Sequence, residues 1–382
     1  MRRNQDTIYK TNEEIKKIKS AIDIKKPRPA VKIKNNIEIS LRKAQINPNF
    51  DSRTVLTDST WHYVELILKR NKDKKALNYW HQAQNFFKAT ETLDLLSKPL
   101  TTYYCFLNAT KALLTVKKIR FDTKHGVSGK STSGSINLNN EMVYLHPRGV
   151  LSGLCNYLEE PVVTTLVPST NKRLPESYNL KDILYNLEYI HRAYNLTYTN
   201  QTELFIPIEE PRFVHDKSQK KGWIELRLEP EYSSENEFSK ITGFGKDIYY
   251  DQVDYYTIRL NKKFKWDAPR NNPTTESLQE LSKYYKNHRK RFRYIYSANK
   301  LWYIKRKNLA KVINRGTLPL TFGAMHRLSE MSRYDPNTLE KHLEKSYGWL
   351  LSEFITKSIH QFVDMVSSEI TGDDFRVTGF RT

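Results

Sequence analysis

The spacing of apolar residues changes twice along this chain of 382 residues, and these changes limit the folds open to it. Between residues 61 and 114, apolar residues recur at intervals of three and four, the spacing of a buried helix face. Between about residues 160 and 270 the period falls toward two, which is typical of half-buried β-strands. From residue 274 the helical spacing returns. The sequence therefore predicts an α+β fold with a helical bundle core.

Four regions follow from this pattern. The first is rich in lysine and is broken by prolines between residues 25 and 29, so we expect it to be exposed. The regions are a basic N-terminal arm (1–57), a helical core with a hairpin (58–160), a β-rich section (161–270), and a helical C-terminal section (271–382).

Local signals refine this division. Residues 97–99, Ser-Lys-Pro, are a predicted helix stop, and the apolar helix that follows is expected to be central in its bundle. Residues 126–134, rich in Gly and Ser, are a predicted loop, and Asn139-Asn140 a predicted hairpin turn. Other predicted elements are strands at 203–208, 223–228 and 254–260 and helices at 338–351 and 353–370.

Composition narrows the class of protein. The chain carries 63 Lys and Arg against 42 Asp and Glu, a net charge of +21, which attracts polyanions, most commonly nucleic acid. The alternative is an AT-rich genome whose lysines serve only solubility. Two cysteines, Cys105 and Cys155, exclude a disulfide framework and a cysteine zinc site. Because no apolar run approaches ~20 residues and the N-terminus lacks a secretory signal, we expect a cytoplasmic protein without a membrane segment, and we expect no cofactor or metal.

One stretch concentrates the charge. Residues 283–307, KYYKNHRKRFRYIYSANKLWYIKRK, contain no Asp or Glu and alternate cations with aromatic rings. Cations neutralise phosphates and rings stack on unpaired bases, so the stretch predicts a nucleic-acid site. In the alternative, the rings face the core and the cations form a solvated face that binds phosphate alone. The predicted contact residues are Lys286, Arg289, Lys290, Arg291, Arg293, Tyr294, Lys300, Trp302, Lys305 and Arg306.

A segment of the helical core resembles a known family. The helix YWHQAQNFFKATETL, the connector KPL and the run TTYYCFLNATKALLTVKKIRFDTKHG are similar to the YaaC-like family of bacterial proteins. The resemblance extends to residues 149–154 and to MHRLSEMSRYDP at 325–336, about two thirds of the chain in all. It implies architecture and carries no activity. Within the second motif, His326 and Arg327 diverge by about 100° on one helix and are not expected to act as a pair.

The same run is similar, more loosely, to the HEPN superfamily of helical bundles. The shared features are Tyr103-Tyr104, the alanine-rich helix at 109–114, and His125-Gly126. Many HEPN proteins are RNases that need no metal, whose arginine and histidine are separated by four to six intervening residues and whose site is completed across a dimer, which for this chain would be a homodimer. Arg120 and His125 meet that spacing, and a neutral histidine can take the 2′-OH proton while arginine stabilises the phosphorane. Phe121 stands where the family has a polar residue, and a helix-capping role for His125 is the alternative.

The expected function is non-specific binding of RNA or DNA by a YaaC-like protein. A role in phage defence or a stress response is implied only by analogy with HEPN proteins. One alternative is a metal-independent endoribonuclease using Arg120 and His125. Another is a non-catalytic scaffold or regulatory subunit that binds a protein encoded nearby.

Overall fold

The computed structural model describes residues 28–33, 36–169, 171–232, 239–246, 256–296 and 301–377, together with Thr11, Ser234 and Asn236. Lys300 and about half of the predicted arm lie outside these residues. The described part of the arm is packed, contrary to the expectation of exposure: Val31 and Leu41 are buried, and Nζ of Lys43 lies 2.7 Å from Oδ1 of Asp364. In the described residues, no helix has the length and hydrophobicity needed to cross a membrane.

Strand β1 (Val55–Thr57) leads into three helices, α1 (Thr60–Arg70), α2 (Lys74–Glu91) and α3 (Lys98–Val116). Ser59 and Asp73 cap the first two by accepting hydrogen bonds from backbone N–H groups of the first turn. The prediction that residues 97–99 end a helix is wrong. Helix α2 already ends at Glu91, and Lys98 and Pro99 form the start of α3. Proline fits the first turn of a helix, where no backbone donor is needed. Helix α3 is buried on most sides, as predicted for a central helix.

The first sheet is antiparallel and has the strand order β2-β3-β5-β4. Its strands are β2 (Val127–Ser131), β3 (Glu141–Leu145), β4 (Thr164–Val167) and β5 (Lys172–Asn179), with α4 (Val150–Tyr157) between β3 and β4. Residues 127–131 are thus a strand and not the predicted loop. Strands β2 and β3 form a hairpin whose connecting loop is residues 132–140, so the turn is longer than Asn139-Asn140 alone.

Two short helices, α5 (Leu180–Tyr185) and α6 (His191–Thr197), precede the second sheet. Its strand order is β11-β12-β6-β7-β9-β8, and β10 also pairs with β7. Helix α7 (Thr275–Arg289) packs on it and shares its hydrophobic core. The strands are β6 (Phe205–Asp216), β7 (Lys221–Leu228), β8 (Phe244–Lys246), β9 (Tyr256–Leu260), β10 (Phe264–Lys265), β11 (Phe292–Ile295) and β12 (Leu301–Lys305).

The chain ends in α8 (Thr317–Tyr334), α9 (Pro336–Leu343), α10 (Gly348–Thr371) and β13 (Phe375–Val377). These helices return to α3, where the rings of Phe106 and Phe362 stack with centroids 4.0 Å apart. The predicted helix 338–351 is therefore two helices, interrupted between α9 and α10. The mixture of helices and antiparallel sheets confirms an α+β protein. It has one core among the helices and the first sheet and another beneath the second sheet.

Candidate functional site

A cavity of about 450 Å³ opens beside the C-terminal end of α7. Six cationic residues and one acidic residue, Glu160, line it, and we call it the cationic pocket. The cations are Lys290, Arg291, Arg293, Lys305, Arg306 and Lys307.

Strand alternation explains how the acid-free stretch builds this pocket. Strands β11 and β12 pair antiparallel with Arg293 opposite Tyr303, so Lys305 projects on the same face as Arg293. The alternate residues Phe292, Tyr294, Trp302 and Ile304 belong to the core of the second sheet. Period-two alternation therefore places these four side chains on one face of the two strands, and Arg293 and Lys305 on the other face together with Tyr303.

The cations of the pocket lie at two depths. Lys290 and Lys307 are exposed, whereas Arg293 is 8% and Arg306 4% exposed. Nη2 of Arg293 donates to the carbonyl of Arg315 at 3.2 Å, and its Nε has no hydrogen-bond partner among the described residues. Nζ of Lys305 donates to the carbonyl of Ile313 at 2.7 Å. The pocket thus has an exposed cationic rim and a buried cationic floor.

Burial and neighbouring cations lower the pKa values of two lysines of the pocket. Burial, followed by the charge of Arg293, lowers the pKa of Lys305 well below its usual value. Burial and the charges of Arg291 and Lys290 also lower the pKa of Lys307. A bound anion would relieve both effects, because it favours the charged form of each amine.

Glycine is required where Arg291 reaches the pocket. Gly243 has a φ of +83°, and a Cβ there would lie 2.7 Å from Nη1 of Arg291. The same nitrogen donates to the carbonyl of Thr242 at 2.9 Å. The loop before β8 therefore holds the guanidinium in place.

The other residues predicted to bind nucleic acid lie elsewhere. Arg289 is 2% exposed and donates to the carbonyls of Arg42 and Lys43. Its guanidinium therefore fixes the backbone of residues 42–43 and is not placed to bind a ligand. Tyr294 and Trp302 are 4% and 6% exposed. Lys286 is exposed and forms an ion pair with Glu159. Lys300 lies outside the described residues.

Two charged lining residues were not in the predicted set. Lys307 belongs to the acid-free stretch, and that composition was the signal that could have included it. Glu160 gave no such signal, since it reaches the pocket from the segment after α4.

A second arrangement, which we call the histidine cluster, brings together Tyr103 on α3, His125 before β2, and His326 on α8. The Tyr103 hydroxyl and Nδ1 of His125 share a short hydrogen bond. The ring of His326 meets Tyr103 edge to face at 4.8 Å, and its centroid lies 5.7 Å from that of His125. Arg120 is exposed on the segment after α3, whereas the contacts of the His125 ring are with Tyr103 and His326.

The surroundings of both histidines of the cluster favour the neutral ring. Desolvation of part of the His125 ring and the charge of Lys111 lower the pKa of His125, which favours the neutral form that can accept a proton. Burial and the neighbouring His125 lower the pKa of His326 to about 3. Nδ1 of His326 lies 3.7 Å from Oε1 of Glu330 and has no hydrogen-bond partner among the described residues.

Arg327 and the adjacent His326 both contact Glu330, whose carboxylate lies 3.3 Å from Nη1 of Arg327 and 3.7 Å from Nδ1 of His326. The guanidinium of Arg327 also binds Glu141, which in turn contacts His342 and Ser131. Burial alone would raise the pKa of Glu141, but hydrogen bonds from His342 and Arg327 lower it to about 2. Gly129 permits this packing, because a Cβ there would lie 2.2 Å from Oε2 of Glu330.

The described part of the chain has no group of three or more His, Cys, Asp or Glu residues arranged to hold a metal ion. The cluster was missed because its rings come from segments 22 and about 200 residues apart, which no local pattern connects. The sequence feature that could have indicated His326 is the segment at 325–336 that resembles the YaaC-like family, because it contains this residue.

Comparison with known proteins gives one match. Residues 44–370 match the family model described as YaaC-like protein, a span that includes both the cationic pocket and the histidine cluster. No curated protein and no solved structure matches the chain. Since the matched span covers most of the sequence, the chain belongs to the YaaC-like family.

Proposed function

We propose that this protein binds nucleic acid, RNA or DNA, through the cationic pocket and the basic surface at its rim. The observation that carries the proposal is the convergence of six cations and one carboxylate on one cavity. Lysine and arginine bind phosphates, and release of the displaced counterions makes such binding strongly dependent on salt.

The burial of Tyr294 and Trp302 limits the kind of contact proposed. Both rings pack in the core of the second sheet and are therefore not accessible for stacking on nucleic-acid bases. Phosphate contacts carry no sequence information by themselves. We therefore expect binding that is sensitive to salt and indifferent to sequence.

Fluorescence anisotropy tests this proposal with labelled single-stranded RNA and DNA from about 50 to 300 mM salt. We expect measurable affinity at low salt that falls steeply as salt rises. Reversing the two rim charges, Lys290→Glu with Lys307→Glu, should weaken binding at least about tenfold and flatten the salt slope by about two.

The matched control is Lys74→Glu with Lys75→Glu, which makes the same charge change at exposed positions on α2. Equal weakening by both double variants would overturn the assignment to the pocket. A negligible signal at low salt would overturn nucleic-acid binding itself and favour a protein-binding scaffold.

A second candidate function is metal-independent cleavage of RNA at the histidine cluster. The observation that favours it is the exposed, neutral His125 whose Nδ1 is held by Tyr103. In that reaction the 2′-oxygen of RNA bonds to phosphorus as its proton passes to His125. The 5′-oxygen leaves with a proton from solvent.

Incubation with total RNA in EDTA tests the cleavage, with His125→Ala and Arg120→Ala compared at equal concentration. Loss of cleavage in His125→Ala supports it, and unchanged cleavage removes it. The result for Arg120→Ala decides whether the exposed arginine contributes. A role in phage defence or stress stays a prediction from the HEPN analogy.

A further inference from the structure

We infer that the cationic pocket takes a terminal phosphate, the phosphomonoester of a nucleotide or of a strand end, in preference to phosphates inside a strand. The inference rests on the proposed function and names the ligand group of that same site. It depends on the depth of the pocket, the charge on its floor, and its apolar wall.

Depth separates the two kinds of phosphate. An internal phosphodiester has a nucleotide on each side and follows a surface, so it reaches exposed cations such as Lys290 and Lys307. A terminal phosphate has one substituent and can enter a cavity. The floor residue Arg293 is 8% exposed yet lines the pocket, and its Nε lacks a hydrogen-bond partner among the described residues. That donor suits a group that enters end first.

Charge favours the same ligand. A phosphomonoester carries about −1.5 to −2 charges at neutral pH, whereas each phosphodiester carries about −1. Arg293 stands on the floor beside Lys305, and a bound anion would favour the charged form of that lysine, whose pKa burial lowers. The carboxyl of Glu160 also lines the pocket, and the nearby carboxyl of Glu188 has its pKa raised by burial. A dianion attracts these cations more strongly than a monoanion does.

The wall and the size fit more than inorganic phosphate. Phe244, Leu309, Val312 and Ile313 line the pocket beside the cations, and an apolar wall suits the flat face of a base. The volume of about 450 Å³ lies within the range of small-molecule pockets, which is about 300–1,000 Å³. We therefore assign the nucleotide class and leave the base unspecified.

Titration calorimetry on the full chain tests the inference with short strands of one sequence ending in 5′-phosphate, 3′-phosphate or hydroxyls only, and with AMP and adenosine. We expect at least one phosphorylated strand or AMP to bind about tenfold more tightly than its hydroxyl counterpart. The strand and AMP arms distinguish strand ends from free nucleotides.

Two variants connect the preference to the pocket. Arg293→Gln should abolish it, and Lys305→Gln, a second change on the floor, should reduce it severalfold. Lys307→Gln, an exposed rim change, should weaken phosphorylated and hydroxyl strands alike, and the control Lys74→Glu with Lys75→Glu should keep the preference. Thermal unfolding checks that Arg293→Gln is folded, and Lys305→Gln decides the case if it is not.

The outcomes separate the two proposals. Equal binding of phosphorylated and hydroxyl strands overturns the terminal-phosphate inference and leaves nucleic-acid binding standing. Binding of AMP without any strand overturns nucleic-acid binding and supports the phosphate site. Binding of nothing overturns both.

Discussion

Arg327 and Glu141 form a buried ion pair in which Nε and Nη2 of the arginine lie 2.9 and 2.7 Å from the same oxygen, Oε2. The pair joins α8 to β3 beside the histidine cluster. Removing the charge from Glu141 leaves the buried Arg327 with the more exposed Glu330 as its carboxylate partner. We expect Glu141→Gln to lower the free energy of unfolding by about 3–5 kcal/mol, measured by urea denaturation.

The control is Glu353→Gln, because Glu353 pairs with Lys357 on an exposed part of α10. Surface pairs of this kind contribute about 0–1 kcal/mol. Similar small losses in both variants would contradict a structural role for the buried pair.

His326 makes the stability of the protein depend on pH. Its pKa is about 3 in the folded state, whereas an unfolded histidine titrates near about 6.5. As pH falls below about 6.5, the unfolded chain therefore takes up the proton first and stability is lost. Between about pH 5 and 6.5, His326→Gln should make the loss of unfolding free energy shallower, by up to about 1.4 kcal/mol per pH unit.

The range from about pH 5 to 6.5 separates the effect of His326 from that of Glu141, which changes stability only at lower pH. Its carboxyl has a pKa of about 2 in the folded state, so the stability that it contributes is lost only as pH falls below about 4.5. Urea denaturation of the unchanged protein and of His326→Gln at several pH values in this range measures how the free energy of unfolding changes with pH. Parallel slopes would mean that His326 takes up its proton in the folded state too.

Lys111 tunes the pKa of His125. Its positive charge disfavours the imidazolium and adds to the effect of partial burial. Lys111→Met should therefore raise the pKa of His125, followed by NMR titration of the ring. Lys88→Met, which removes an exposed charge from α2, should leave it unchanged. If RNA is cleaved, the acidic limb of its pH–rate profile should move up with the same variant.

Gly243 supports the cationic pocket through its backbone conformation. Alanine at its φ of +83° is strained, by about 1 kcal/mol, and its Cβ would displace Arg291. Gly243→Ala should weaken nucleic-acid binding severalfold, less than the double charge reversal at the rim. Gly134→Ala is the control, because a Cβ there meets nothing within 4 Å. Equal affinities in the two alanine variants would show that the position of Arg291 does not matter.

Regular periodicity allowed much of the fold to be predicted. The strands expected at 203–208 and 223–228 correspond to β6 and β7, and the apolar helix after residue 99 is the central α3. Residues 127–131 were misassigned because Gly and Ser also suit a strand that packs closely against α8. Local composition does not record that contact.

The candidate sites differ in how far they could be predicted. Five of the pocket's cations lie in the predicted set because they are close in sequence and the stretch lacks acids. Arg289 has the same composition around it but is buried, since two carbonyls near residue 42 face it. The contact of His125 with His326 depends on how the segment before β2 packs against α8, which the sequence pattern does not specify.

The stacking of Phe362 on Phe106 has a consequence for synthesis. Helix α3 leaves the ribosome long before α10, and β13, which pairs in parallel with β1, follows later still. The nascent chain therefore carries a helix whose face toward α10 is uncovered while some 250 further residues are translated. We expect chaperones and proteases to compete for it during that interval.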